Sequence, residues 1–151
     1  MSPLFNKKAL LTPQENGRIV EAIRSCEKTT SGEIRVFMES RNPLVNTLER
    51  AAHIFHQLKM QETHHRNGVL LYVAVKDREV ALYGDEGIHQ AVGAAFWDAE
   101  VKKMLDSFRG HHITDGIVQC VLDVGQVLKE KFPYISTEDK NELPDEIVFG
   151  H

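Results

Sequence analysis

The sequence predicts an α/β fold, a three-layer helix–sheet–helix sandwich around a small mixed sheet. Three patterns lead to it. A well-signalled helix precedes an alternating strand in the first forty residues. The run Gly68-Val-Leu-Leu-Tyr-Val-Ala-Val75 is apolar on both parities, as a strand covered on both faces must be. Residues 87–132 carry apolar spacings of three and four, the helical period.

The first helix is expected over residues 12–29. Thr12-Pro13-Gln14-Glu15 supplies a capping hydroxyl, a proline at the first helical position and a glutamate three residues on. Ile19, Val20, Ile23 and Cys26 recur on one face, and Thr30-Ser31-Gly32 ends it as a turn. Glu33 to Glu39 alternates as a strand, with Ile34, Val36 and Met38 on its apolar side; Arg41-Asn42-Pro43 breaks it. A second helix should begin near Asn46, with Glu49 completing a capping box and Leu48, Ala52, Phe55 and Leu58 facing inward. Strand–helix–strand up to residue 75 reads as a parallel crossover. Lys76-Asp77-Arg78 is a short turn into an alternating strand, Glu79 to Gly84, so residues 68–84 form a hairpin. Ile88 to Phe96 then reads as a short helix. Trp97, Val101, Met104 and Phe108 mark a longer one that Gly110 stops. Thr114 or Asp115 can cap the last helix, whose stripe is Ile117, Val121, Val124 and Leu128 and which Pro133 ends.

A chain of 151 residues, 42% hydrophobic and 26% charged, is one ordinary domain. The expected division is a domain over residues 1–135 and an acidic, extended tail over 136–151, in which Ile147-Val148-Phe149 can dock on the body. That tail holds five acids and one base, so of 22 acids and 18 bases the body keeps 17 of each. A neutral body without a basic stripe argues against nucleic acid and against an anionic membrane surface. No apolar run approaches the ~20 residues of a membrane span. The first residues lack the order of a signal peptide, and Cys26 and Cys120 read as free buried thiols, which together point to the cytoplasm. A protein partner, engaged by the body or by the acidic tail, fits this composition.

The string Arg66-Asn67-Gly68-Val-Leu-Leu-Tyr-Val-Ala-Val-Lys-Asp-Arg78 stands between Thr30-Ser31-Gly32-Glu33-Ile34 and Gly84-Asp85-Glu86-Gly87-Ile88. With Phe108-Arg109 and Gly116-Ile117 following in order, the chain resembles the TPM-domain family over residues 12–132. The ending Asn141-Glu-Leu-Pro-Asp-Glu-Ile-Val-Phe-Gly150 resembles that of its small stand-alone bacterial members. The resemblance implies the same sandwich, binding of a divalent ion (calcium foremost, magnesium or zinc as alternatives) and, in some members, acid phosphatase activity. Three positions depart from the family's usual acids: Arg66 before Asn-Gly, His89 after Gly-Ile, and His111-His112 after Phe-Arg-Gly.

The topology groups the polar residues by sheet end. With the first two strands parallel and the third returning, Glu33, Asn67, Asp85 and Glu86 share one end, and His89 follows closely. Glu33, Asp85, Glu86 and His89 are therefore the candidate metal set, since Ca²⁺ takes six to eight oxygens from carboxylates, carbonyls and water. The competing reading makes Asp85 a helix cap and Glu33 a solvated strand end. Asp77 lies at the opposite end, near Glu39 and Arg41, as a turn former or a weaker ligand candidate. The eight histidines lack zinc-ligand spacing and read as surface residues. No Gly-x-Ser-x-Gly elbow or phosphate-cradling glycine loop is present. Three functions follow in order: a divalent-cation-binding accessory module, a metal-assisted phosphatase with Arg109 meeting the phosphate, and a metal-free protein-interaction domain.

Overall fold

The computed structural model describes residues 10–44, 46–135 and 146–150. Helix α1 (Pro13–Glu27) begins where the capping box dictates. Thr12 Oγ1 accepts from the Glu15 amide at 3.1 Å, and Glu15 Oε1 accepts from the Thr12 amide at 2.8 Å. Strand β1 (Glu33–Glu39), helix α2 (Thr47–Gln57) and the hairpin strands β2 (Gly68–Ala74) and β3 (Glu79–Gly84) follow. Helices α3 (Glu86–Val92), α4 (Ala94–Arg109) and α5 (Ile113–Lys131) come next, then the two-residue strand β4 (Val148–Phe149).

The sheet order is β3-β2-β1-β4. β1 and β2 run parallel, in register from Glu33 beside Gly68 to Glu39 beside Ala74. β3 returns antiparallel to β2, and β4 lies parallel to β1. The sheet is mixed, as expected. Alternation sorts its side chains into two cores. Ile34, Val36, Met38, Val69, Leu71, Val73, Val80 and Leu82 pack with Ile19 and Ile23 of α1, Met104 of α4 and Ile117, Val121 and Val124 of α5. On the other face Phe37, Leu70, Tyr72, Ala74 and Ala81 pack under Ala51, Ile54 and Phe55 of α2 and Met60. This is the three-layer sandwich.

The structure differs from the sequence reading at several points, each for a physical reason. Capping by Asn46, whose side chain accepts from the Glu49 amide at 3.0 Å, turns Ala51, Ile54 and Phe55 inward. Leu48 is left outside, 53% exposed. The short helix starts at Glu86 and stops at Val92, because Gly93 takes φ +80°. Neither Thr114 nor Asp115 caps α5. Thr114 Oγ1 donates to Glu15 Oε2 at 3.1 Å and Asp115 pairs with Arg18 at 2.7 Å, so both side chains tie α5 to α1 instead. The apolar end of the tail docks as β4, with the Gly150 amide donating to the Met38 carbonyl at 2.7 Å. The acidic stretch 136–145 lies outside the described residues.

One polar cluster sits under the thin layer. Arg50 of α2 makes a bidentate pair with Glu39, Nε to Oε2 and Nη2 to Oε1, both 2.9 Å. The Tyr72 hydroxyl donates to the same carboxylate, and burial first, then that bond, pushes its phenol well above the usual range. Removing the guanidinium leaves a buried carboxylate unpaired. Arg50→Ala should therefore lower the unfolding free energy by about 3 kcal/mol in urea titrations at neutral pH. A loss within the few tenths typical of exposed ion pairs would show that water replaces the guanidinium.

Candidate functional site

The loop leaving β3 is built around Asp85. Its amide donates to the Gly68 carbonyl at 2.9 Å, which carries the sheet ladder one residue past Gly84. Its carboxylate then caps α3 by accepting from the Glu86 amide at 2.8 Å. Arg66 reaches the same group through a fork, Nε to Oδ2 at 2.7 Å and Nη2 to Oδ1 at 2.8 Å. The hydrogen bonds it donates to this buried carboxylate, foremost, hold the guanidinium proton more tightly than usual. Local backbone chemistry sets the fork. Arg66 takes φ +52°, a left-handed conformation that suits few side chains. The Gly87 amide donates to the Arg66 carbonyl at 2.9 Å. A Cβ on Gly87 would lie 2.3 Å from the His65 carbonyl oxygen, so glycine is required for this approach.

Helix α4 closes the same end. A Cβ on Gly84 would lie 2.5 Å from Trp97 Cζ2, so the indole lies directly against the strand. Trp97 Nε1 donates to His89 Nδ1 at 3.1 Å, which leaves the imidazole proton of a neutral His89 on Nε2. Beside these residues runs a groove of about 830 Å³ along β3, between α2 and α4. Leu48, Val80, Leu82, Trp97 and Val101 form its apolar walls. Arg66, Asp85, Glu86, His89 and Asp98 gather at the Gly84 end, and Asn46 and Thr47 stand at the other.

The candidate metal set is thus only partly assembled. Asp85, Glu86 and His89 share the groove, but Glu33 does not line it. Glu33 lies two strands away, buried at the start of β1. Glu86 is 63% exposed and 3.7 Å from Arg66. Asp77, at the opposite end in the β2–β3 turn, is held by the loop that follows β1: Arg41 Nη1 donates to Oδ1 at 2.8 Å and the Asn42 amide to Oδ2 at 2.7 Å. Among the described residues no group of three or more His, Cys, Asp or Glu side chains is disposed to hold a metal ion. In this arrangement a hard cation meets no open carboxylate at Asp85, because a guanidinium already takes both of its oxygens. Arg66 for the same reason is not a free anion seat. Arg109 pairs with Asp106 at the far end of α4, about 18 Å along the helix from Trp97.

A second polar cluster, not anticipated from sequence, lies between α4 and α5. Lys103 Nζ bridges Glu100 Oε2 at 2.9 Å and Asp123 Oδ2 at 3.0 Å. Burial raises the Glu100 carboxyl pKa and, more strongly, that of the Cys120 thiol. A thiol so raised is a poor nucleophile, in keeping with the core role read for Cys120. The i, i+3 spacing of Glu100 and Lys103 was visible; their meeting with Asp123 depends on helix packing.

A sequence profile of the TPM domain matches residues 4–127. The chain belongs to the TPM-domain family. Its fold superposes on the BA42 protein from the psychrophilic bacterium Bizionia argentinensis with a TM-score of 0.86. That protein is 40% identical, and the match covers 95% of this chain and 97% of that one. The N-terminal domain of a P. gingivalis protein shares the fold at 18% identity and TM-score 0.68, over 83% and 81% of the two chains. So does the N-terminal domain of the cg2496 protein from Corynebacterium glutamicum, at 14% identity and TM-score 0.63, over 84% of each chain. Among curated proteins, none matches the sequence. In this TPM domain, Asp85 serves first as a cap and as the anchor of Arg66. Asp85→Ala should then lower stability by about 1 kcal/mol in EDTA-containing buffer, measured by thermal or urea unfolding. Unchanged stability without metal, with loss of stability only when Ca²⁺ is present, would make Asp85 a ligand instead.

Proposed function

We propose that this TPM domain is a binding module that engages a partner in the groove beside β3 and catalyses no reaction. One observation carries the reading: an apolar groove of about 830 Å³ runs along a strand edge, while at its end Arg66 is paired with Asp85 and His89 with Trp97. A hydrolase needs charge on the phosphoryl oxygens met in the transition state, and an in-line nucleophile or activated water. Arg66 is engaged by Asp85, and Arg109 lies at the far end of α4 beside Asp106. His89 Nδ1 accepts from Trp97, so it is not poised over the groove as a base.

A second reading keeps the divalent cation. Arg66 is 40% exposed in its side chain, so it can swing away and leave Asp85 and Glu86 to a cation. Such a site would have two carboxylates, with water and main-chain carbonyls completing it, and would bind calcium weakly.

The experiment is an amide-resolved NMR titration with Ca²⁺, Mg²⁺ and Zn²⁺, paired with steady-state hydrolysis of p-nitrophenyl phosphate under each ion. The binding-module reading expects no turnover and no saturable shift at Asp85 and Glu86 below millimolar calcium. Saturable shifts there, lost in Asp85→Asn, would support the cation reading. Metal-dependent turnover lost in the same variant would replace both with the phosphatase.

A further inference from the structure

We infer that the groove takes an extended polypeptide segment as an added strand beside β3, apolar at alternate residues and carrying a lysine or arginine at the Gly84 end. This deepens the binding-module reading and rests on it. The sheet has two edges, and the chain treats them differently. On the β1 side its own C-terminal residues add the short strand β4. On the β3 side no strand is paired among the described residues. The Asp85 amide points to Gly68, so by the alternation of an antiparallel ladder Glu79, Ala81 and Tyr83 face β2. The main-chain N–H and C=O groups of Val80, Leu82 and Gly84 therefore point outward, and all three residues line the groove. Three residues at every second position are what a further strand reads.

The edge is not protected in the usual ways. β3 contains no lysine or proline, and its one charged residue, Glu79, accepts from Asn42 Nδ2 and Thr47 Oγ1 at 3.0 Å. Protection comes from recession instead. Val80, Ala81 and Leu82 are buried although they lie in an edge strand, because α2 and α4 overhang it. A slot of this shape excludes a flat sheet edge and admits one narrow chain. Leu48 on the α2 wall and Val101 on the α4 wall would pack against the two faces of the added strand, so alternate apolar side chains suit both.

Charge fixes the polarity of the occupant. At the Gly84 end stand three carboxylates, Asp85, Glu86 and Asp98, against one guanidinium, Arg66, which Asp85 already holds. The Asp98 carboxylate has no hydrogen bond or ion pair among the described residues, and Glu86 meets Arg66 only at 3.7 Å. The other end presents the uncharged Asn46 and Thr47. At that end the Glu79 carboxylate is already taken up by Thr47 and Asn42, so a cationic residue is drawn more strongly to the first end, where Glu86 and Asp98 stand open.

The test is selection of a random heptapeptide phage library on the full chain. The best peptide is then titrated by amide NMR and resynthesised with alternate backbone amides N-methylated. Expected are peptides apolar at alternate positions with a terminal-half lysine or arginine, and shifts at Val80, Leu82 and Gly84 with slowed exchange of their amides. N-methylation on the docking edge should abolish binding. Glu86→Gln with Asp98→Asn should remove the preference for the basic residue and weaken binding by about tenfold. Leu48→Lys, at an exposed position, should weaken it similarly without altering stability. Binders that shift the groove yet tolerate N-methylation overturn strand addition and leave the binding-module reading standing. A library whose binders all miss the groove overturns both. Edge amides already protected in a dimer, or released when residues 1–9 are deleted, would identify a second copy or the chain's own N-terminus as the occupant and overturn the proposal.

Discussion

Two parallel strands with no exposed face dictate the layout. Every residue of β1 and β2 is buried, including Glu33, Arg35 and Glu39. A parallel pair needs a crossover longer than a hairpin turn, and the crossover must cover a face. α2 does so on one side, and α1, α4 and α5 do so on the other. Once both faces are covered, the sheet can offer a partner only its edges. The C-terminal residues occupy one of these, and the groove opens on the other.

Burial on both faces also explains where the charges sit. Buried charged groups at the two ends of the sheet must bring partners with them, since an unpaired buried charge costs several kcal/mol. Glu39 meets Arg50 and Tyr72 at one end. At the other, Asp85 meets Arg66 and the α3 backbone. In each case a guanidinium supplies the positive charge, and its planar fork satisfies both carboxylate oxygens. Arg66 thus stands where a cation would otherwise be attractive to Asp85. A guanidinium tethered to the chain is always present at high effective concentration, so a free ion must compete with it.

Much of this was legible because local signals agreed with the tertiary outcome. The Thr12–Glu15 box, the apolar run of β2 and the α4 and α5 stripes each name their own neighbourhood. The family motifs were legible as text but not as contacts. Thr30 turns out to tether α5, donating to the Leu128 carbonyl at 3.0 Å, and Gly87 admits the 65–66 loop. What sequence could not supply was competition for a side chain. Thr114 and Asp115 were good caps by type, yet Glu15 and Arg18 across the α1–α5 contact took them. Asp85 was read as either cap or ligand, and its partner Arg66 was visible only as a departure from the family pattern. The shared sheet end placed Glu33 near Asp85, but strand order set two intervals of about 4.8 Å between their strands.

The same competition bears on what the groove can do. A reactive site needs groups left poised: a base with a free lone pair, a cation with open coordination, a charge awaiting its counterpart. Here the lone pair of His89 Nδ1 is taken by Trp97, and the oxygens of Asp85 are taken by Arg66 and the Glu86 amide. The groups left open are of a different kind: the main-chain edge of Val80, Leu82 and Gly84, the exposed Leu48, and the carboxylates of Glu86 and Asp98. Together they offer hydrogen bonds at strand spacing, apolar area on two sides and negative charge at one end, the elements by which a rigid scaffold recognises another chain. The internal pairs then have a positive role as well. By fixing Trp97 against Gly84 and the α3 turn against the 65–66 loop, they hold the end of the groove in one shape, so the proposed strand addition would need little ordering there.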